Sequence, residues 1–163
     1  KLEKDELDLE KAAVNLHEII TDAVTHVSLI VENKGGYIKT HFFAENSNTF
    51  GSDFHLTNII VNIIDNGIKY TEGAPEIDIY TENASNYVVV KVVDKGIGMS
   101  KAVQKKIFEK FYREQMGNIH NVKGHGLGLS YVKRILDDHD AEINVESEKG
   151  NGSTFIIKLE LIT

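Results

Sequence analysis

The stretch "NIIVNIIDNGIKYT", residues 58–71, combines a helical row of isoleucines with a row of polar side chains. Leu56 and the isoleucines that follow it recur at the spacing of one helix face, which predicts a helix capped by Asp53 that runs to about Tyr70. The same spacing places a polar stripe on the other side, formed by Asn58, Asn62, Asn66, Lys69 and Tyr70.

The asparagines of this stripe allow two interpretations. Asparagine is a poorer helix former than lysine or glutamate, so three on one face lower the stability of the helix. An amide oxygen suits Mg²⁺, which shares its coordination shell with phosphates, and a lysine supplies a positive charge for those phosphates. Taken alone, a solvated helix face is the simpler interpretation.

Helical and strand patterns alternate along the rest of the chain. Helices are predicted from Leu16 to Gly35-Gly36, near 101–109 and from about Gly126, and strands at 37–43, 76–82, 87–93 and on both sides of "GNG", 150–152. Residues 112–125 are polar and without periodicity, which predicts a lid. The mixture predicts an α+β fold of two layers. We expect residues 1–13 to be a linker or the end of a neighbouring helix, and residues 14–163 to be one domain.

Composition limits the classes of function. A net charge of −7 argues against nucleic-acid binding, although residues 101–125 carry six Lys or Arg against two Glu and could receive an acidic ligand. The absence of cysteine excludes disulfides and thiolate metal sites and suits a reducing compartment, so we expect a cytoplasmic location. No apolar stretch is long enough to span a bilayer, so we expect no membrane contact here and any anchor upstream in a longer protein.

Three glycine-rich segments complete the pattern. "DKGIGM", 94–99, places a carboxylate at a strand end, where it could accept a hydrogen bond from an adenine amino group or simply form a turn. "KGHGLGLS", 123–130, places glycines before a helix, whose free N–H groups suit a phosphate. "KGNGST", 149–154, is an ordinary hairpin turn when taken alone.

Together and in this order, the segments resemble the nucleotide-binding boxes of the catalytic and ATP-binding domain of sensor histidine kinases, within the GHKL superfamily. "NIIDNGIKYT" is similar to the N box, "DKGIGM" to the G1 box, "IFEKFYR" (107–113) to the F box, "KGHGLGL" to the G2 box and "GNGSTF" to the G3 segment. The resemblance implies the Bergerat fold: a mixed, mainly antiparallel sheet packed against three helices, with a mobile ATP lid.

The resemblance also implies a role for each matching residue. Asn66 would bind Mg²⁺, Asn62 would line the same site, Lys69 would contact phosphate and serve the transfer, and Tyr70 would pack beside the nucleotide. Asp94 would bind the adenine amino group.

Further roles fall on the glycines and the lid. Gly96 and Gly98 would let adenine approach Asp94, and Thr154 would support the adenine end. Phe108 and Phe111 would anchor the lid, and Arg113 would stabilise charge on the γ-phosphate. The lid would surround the triphosphate through Gly124, His125, Gly126, Leu127 and Gly128.

Four departures from the family pattern stand out. Gly67 replaces the usual alanine, His125 the commoner threonine, and Asp140 a helix-ending glycine. The fourth is the lack of a phosphoacceptor box: His17 in "LHEIIT" precedes an acidic residue, but the chain's one proline is Pro75, so we expect His17 in the first turn of the leading helix.

These features favour a protein-histidine kinase domain that binds MgATP and passes the γ-phosphoryl to a histidine on a separate dimerisation domain, for relay to an aspartate of a response regulator. The full-length protein would be a homodimer. A non-catalytic nucleotide-binding module and other GHKL proteins, either hydrolases or anti-sigma-factor serine kinases, are the alternatives. The hydrolases use a glutamate four residues before the metal-binding asparagine, where this chain has Asn62, so we expect slow hydrolysis.

Overall fold

The computed structural model describes residues 9–109 and 128–162 of the chain. Its elements, in chain order, are β1 (Ala12–Asn15), α1 (Leu16–Asn33), β2 (Tyr37–Phe42), β3 (Asn48–Gly51), α2 (Asp53–Lys69), β4 (Glu76–Ala84), β5 (Tyr87–Asp94), α3 (Lys101–Gln104), α4 (Gly128–Asp138), β6 (Glu142–Ser147) and β7 (Ser153–Glu160).

The main sheet has five strands in the order β2-β4-β5-β7-β6. β2 and β4 are parallel, whereas every other neighbouring pair is antiparallel, so the predicted mixed and mainly antiparallel sheet is confirmed. Alternate side chains of the inner strands face the helices and are buried, as the period of two in a strand requires. The core lies between this face and the apolar sides of α1, α2 and α4.

The helix α2 forms where the isoleucine pattern predicted it. Leu56, Ile59, Ile60, Ile63 and Ile64 are all buried. Its N-terminal cap is Ser52 and not Asp53 as predicted, because the Ser52 hydroxyl accepts the backbone N–H of His55. Asp53 instead lies in the first turn, where its negative charge complements the helix dipole.

The ribbon of β1 and β3 was not predicted. Ala12 pairs with Gly51 and Asn15 with Asn48, in an antiparallel register. Residues 12 and 13, which we had assigned to the linker, are therefore paired within the fold, whereas residues 1–8 lie outside the described part of the chain.

The helices α1 and α4 agree with the sequence pattern, whereas α3 covers only Lys101–Gln104 and is shorter than the helix predicted near 101–109. Asn15 caps α1, and His17 lies in the first turn of this helix, as expected. Asp140 follows α4 with a φ of 53°, the left-handed conformation for which glycine is the usual residue. Among the described residues, no helix combines the length and the hydropathy needed to cross a membrane.

Candidate functional site

The stripe of asparagines on α2 divides into two parts. Asn62 and Asn66 are half-buried, and their side chains make no hydrogen bond within residues 9–109 and 128–162. The side chain of Asn58 differs, because it hydrogen-bonds the Tyr131 hydroxyl on α4. Two amides of the stripe are therefore available to a ligand, and the third connects two helices.

The end of α2 carries the predicted phosphate-contacting lysine. Lys69 Nζ lies 2.9 Å from Asp65 Oδ2, one helical turn earlier, and both side chains are about one-third exposed. An exposed pair of this kind is weak, so phosphate can compete for the ammonium group. Tyr70 is the C-terminal cap of the helix, half-buried beside Lys69.

Asp94, the last residue of β5, is buried and uses its two carboxylate oxygens differently. Oδ1 accepts the backbone N–H groups of Gly96, at 2.9 Å, and Ser153, at 3.2 Å. Oδ2 accepts no hydrogen bond within the described residues. Every fully buried side-chain oxygen in this part of the chain has a hydrogen-bond partner, so Oδ2 is not fully buried and reaches the surface. One oxygen is thus fixed by the backbone and the other is open to a ligand.

The surroundings of Asp94 affect its pKa in two directions. Burial raises the pKa of the carboxyl above 3.8, and the two backbone N–H groups lower it in part. The hydrogen bonds favour the ionised form and burial favours the neutral form, and burial is the larger of the two effects.

The segment after Asp94 packs tightly against the end of α2. The Ile97 N–H donates to the Tyr70 carbonyl at 3.0 Å, and a Cβ on Gly96 would lie only 2.6 Å from that same oxygen. Only glycine permits this approach, so the residues similar to the N and G1 boxes are joined through their backbones.

The β6–β7 turn packs equally closely on the other side. A Cβ on Gly98 would lie 1.9 Å from the Glu148 carbonyl, and one on Gly152 would lie 2.1 Å from the Asp94 carbonyl. The Gly150 N–H also donates to the Ile97 carbonyl at 2.7 Å. Gly98 therefore serves the contact between the G1-like and G3-like segments.

Ser153, and not Thr154, faces Asp94. Ser153 pairs in register with Asp94, is buried on the helix-facing side of β7, and contacts Ser147 through its hydroxyl at 2.8 Å. Thr154 pairs with Val93 and, by strand alternation, points to the opposite face. Sequence reasoning missed Ser153, although the alternation of buried positions counted back from Phe155 could have identified it.

The predicted lid lies mostly outside the described residues. Phe111, Arg113, Gly124, His125, Gly126 and Leu127 all belong to residues 110–127. Phe108, just before this segment, is anchored by edge-to-face contact with Phe155, with ring centroids 6.4 Å apart. Gly128 is the first residue of α4, and a Cβ there would meet nothing within 4 Å.

The residues present suit an adenine nucleotide and a divalent cation. Asp94 Oδ2 offers an acceptor for an amino group, and half-buried Asn62 and Asn66 offer neutral oxygen ligands of the kind Mg²⁺ accepts. Gly67 follows Asn66 on α2 and lies close to Asp94. A Cβ added to Gly67 would lie 3.4 Å from Asp94 Oδ2.

A separate cavity of about 550 Å³ lies near the first turns of α2, where Glu10, His26 and Phe54 contribute to its wall. None of the residues predicted to bind nucleotide lines this cavity. This cavity is therefore distinct from the region between Asn66 and Asp94.

Comparison with known proteins gives consistent matches. The sensor protein RprX of Bacteroides fragilis is 38% identical over 162 residues, which are 98% of this chain and 31% of RprX. The chain spans about a third of the length of the curated relatives it matches.

Solved structures share the fold. The catalytic domain of histidine kinase ThkA superposes with a TM-score of 0.78 at 24% identity, covering 93% of this chain and 97% of that domain. ThkA in complex with the response regulator protein TrrA gives a TM-score of 0.79 at 21% identity, covering 99% of this chain and 45% of that one.

The match to a protein family covers most of the site. Residues 51–163, which include α2 and the three glycine-rich segments, match the family described as histidine kinase-, DNA gyrase B-, and HSP90-like ATPase. The chain belongs to this ATPase family, as an ATP-binding catalytic domain of the kind found in sensor histidine kinases.

Proposed function

We propose that this domain binds MgATP and acts as the catalytic part of a protein-histidine kinase. The observation that carries the proposal is the carboxylate of Asp94, whose Oδ1 is held by two backbone N–H groups while Oδ2 stays open beside α2. A fixed, accessible acceptor at the end of a strand suits the amino group of adenine, which guanine lacks at that position.

The adenine end of the site is rigid in this proposal. Asp94 accepts the amino group, and Ser153 replaces Thr154 as the residue that supports it, because Ser153 shares the face of Asp94. Gly96 and Gly98 keep the segment in place by their close backbone contacts. Such preorganisation lowers the cost of binding.

The phosphate end depends on α2 and on the lid. Asn66 would hold Mg²⁺, with Asn62 one turn earlier lining the same place, and Lys69 would exchange Asp65 for a phosphate oxygen. Bound Mg²⁺ would neutralise phosphate charge. Tyr70 would pack against the nucleotide.

We assign the lid residues by resemblance alone. Arg113 would stabilise the γ-phosphate during transfer, and Phe111 would help to anchor the lid. The triphosphate would be surrounded by Gly124, His125, Gly126, Leu127 and Gly128.

The transfer would move the γ-phosphoryl group of ATP to an imidazole nitrogen of a histidine on a dimerisation domain. The bond between the γ-phosphorus and the β–γ bridging oxygen breaks, a phosphorus–nitrogen bond forms, and ADP leaves. A response regulator would then take the group on an aspartate. RprX is named a sensor protein, and a ThkA structure contains a response regulator, which supports these partners for this chain.

The parent protein would be a homodimer, joined through the dimerisation domain and tethered to the inner membrane. Its kinase domains would lie in the cytoplasm. A hydrolytic role is less suited to the site, because Asn62 carries an amide where a hydrolase of this family would need a carboxylate base. Slow hydrolysis by the isolated domain is therefore expected.

Calorimetric titration tests the proposal directly. ADP and a non-hydrolysable ATP analogue are titrated with and without Mg²⁺, and GTP serves as the control. We expect adenine-selective binding that Mg²⁺ strengthens for the ATP analogue. Binding without base selectivity would contradict the role of Asp94, and no binding at all would contradict the proposed function.

A further inference from the structure

A hydrogen-bonded network joins the first turns of α2 and α4. Tyr131 Oη lies 2.7 Å from His55 Nδ1, and the same hydroxyl bonds the side chain of Asn58. We call these three residues the Tyr131 bridge. Burial raises the pKa of Tyr131 and lowers the pKa of His55, so both side chains are held as neutral hydrogen-bonding groups.

A second contact ties the other end of α4 to the start of α2. His139, just after α4, accepts the Ser52 N–H at 3.0 Å through Nε2. The end of α4 therefore also contacts the start of α2. Because α4 is held at two points, it cannot slide along α2 without breaking one of them.

The two helices carry different parts of the proposed phosphate site. Asn62 and Asn66 follow Asn58 along the same stripe of α2. Gly128 begins α4, three residues before Tyr131. The Tyr131 bridge thus connects the helix that carries the amides proposed for the metal to the first turn of the helix whose start is proposed for the phosphates.

The adenine end is built without this network. Asp94 and Ser153 are paired on β5 and β7, and the Ser153 backbone N–H donates to Asp94 Oδ1. A change at Tyr131 can therefore alter the phosphate end while the adenine end keeps its geometry.

We propose that Tyr131 is a positioning residue for the triphosphate, which aligns the start of α4 with the asparagine stripe of α2 through the hydrogen bonds of its hydroxyl to His55 and Asn58. The inference rests on the proposed function, since it concerns the same nucleotide site. The ring of Tyr131 packs against the core, whereas its hydroxyl sets the alignment of the two helices.

Tyr131→Phe tests the proposal, because it removes the hydroxyl and keeps the ring. We measure the affinity for the Mg²⁺ complex of a non-hydrolysable ATP analogue, and the affinity for adenosine by competition with a fluorescent ADP derivative. We expect the first to fall about five- to tenfold, a loss in the range expected when the hydroxyl's hydrogen bonds to His55 and Asn58 are broken. We expect adenosine affinity to change less than about twofold, because no phosphate is involved.

The controls separate alignment from general stability. Tyr80→Phe removes a hydroxyl from the other face of the sheet, where the Tyr80 ring stacks on His41, and should leave both affinities unchanged. His55→Ala should reproduce the selective loss, and the double variant should lose no more than Tyr131→Phe alone, since Tyr131→Phe already removes the hydrogen bond to His55. His55→Ala and Asn58→Ala also replace Tyr131→Phe if that variant does not fold.

Each outcome decides the question. Equal loss of both ligands in Tyr131→Phe would show a purely structural role and overturn the inference, as would no loss of either. Wild-type protein that binds neither ligand would overturn the proposed function instead, so the two failures are distinguishable.

Discussion

Asp94 uses one oxygen of its carboxylate within the fold and leaves the other without a hydrogen bond among the described residues. Asp94→Asn keeps an oxygen for the N–H groups of Gly96 and Ser153, which leaves the NH₂ group of the amide in place of the free acceptor. We expect weaker ATP binding and a smaller preference for ATP over GTP, because this donor opposes the amino group of adenine but can donate to the carbonyl oxygen of guanine. Titration with both nucleotides measures the ratio, and an unchanged ratio would speak against base recognition by Asp94.

Asn66 provides the second test at this scale. Its side chain lies on the polar side of α2, away from the buried isoleucines, so Asn66→Ala should leave the fold intact. We expect the gain in ATP-analogue affinity on adding Mg²⁺ to be nearly abolished, because the amide oxygen proposed for the metal is gone. Titration with and without Mg²⁺ measures this gain. Asn144→Ala, at an exposed position of β6, is the matched control and should retain the full effect.

At the scale of the helix, Gly67 weakens α2 from within. A glycine in a helix interior costs about 0.5–1 kcal/mol relative to alanine. The atoms nearest an added Cβ are side-chain atoms of Asp94, at 3.2 and 3.4 Å, which need to shift only a few tenths of an ångström.

We therefore expect Gly67→Ala to raise the free energy of unfolding by up to about 1 kcal/mol, and the melting temperature by about 2–4 °C. Urea and thermal unfolding check this. A loss of stability would show that Asp94 cannot yield, which its two backbone hydrogen bonds to Oδ1 make the main risk.

The contact of α4 with the start of α2 should make stability depend on pH. His139 accepts the Ser52 N–H with Nε2, so Nδ1 carries the proton and donates to the Ile135 carbonyl at 2.7 Å. Burial is the main cause that lowers the pKa of His139 below 6.5, and the charge of Lys11 adds to it; the Ile135 hydrogen bond and Asp138 oppose it.

The unfolded chain therefore binds this proton more readily than the folded one. The contribution of neutral His139 to the free energy of unfolding is complete above about pH 6.5. It should fall as the pH drops below that value, until the pH is below the lower pKa of His139 in the folded protein. Burial lowers the pKa of His17 and His55 too, so they act in the same direction. Urea unfolding is measured between pH 7.5 and 5.5, and the free energy of unfolding is plotted against pH. The slope of this plot should be smaller for His139→Gln than for the wild type, whereas His26→Gln, at an exposed site, should keep the wild-type slope. Equal slopes in all three proteins would contradict this explanation.

For the whole molecule, ligand binding should appear as added stability. A ligand that binds only the folded state adds about 2.7 kcal/mol at one hundred times its dissociation constant. For a domain of this size that corresponds to a rise of roughly 5–10 °C in melting temperature. We expect the Mg²⁺ complex of a non-hydrolysable ATP analogue to produce this shift and the same concentration of GTP a smaller one. Equal shifts would contradict adenine selectivity.

Much of the architecture was predictable because its signals are local. The isoleucine spacing of α2 and the valine-rich run of β5 depend only on neighbouring residues. The β1–β3 ribbon depends on pairing between short strands far apart in the chain, for which no local signal exists. Ser52 was missed as the helix cap because Asp53 beside it is an equally good candidate, and geometry alone distinguishes them.

In the candidate site, too, local sequence signals allowed predictions, whereas contacts between distant residues could not be predicted. Residue types and order identified Asn66 and Asp94, whose motifs carry the resemblance. Ser153 required the register of β7, in which a shift of one residue reverses the face. The role of Asn58 required the contact with Tyr131, a residue outside all the motifs.

The place of β7 in the sheet has a consequence for synthesis of the protein. This strand is the last of the described elements to leave the ribosome, yet it lies between β5 and β6. Until it arrives, a nascent chain holds β5 with an open edge and its valines exposed, which is the condition under which chaperones are needed. The proposed nucleotide site is also incomplete until then, because one of the two N–H groups that hold Asp94 Oδ1 belongs to Ser153. We therefore expect the domain to gain its ATP-binding ability only after β7 has been translated.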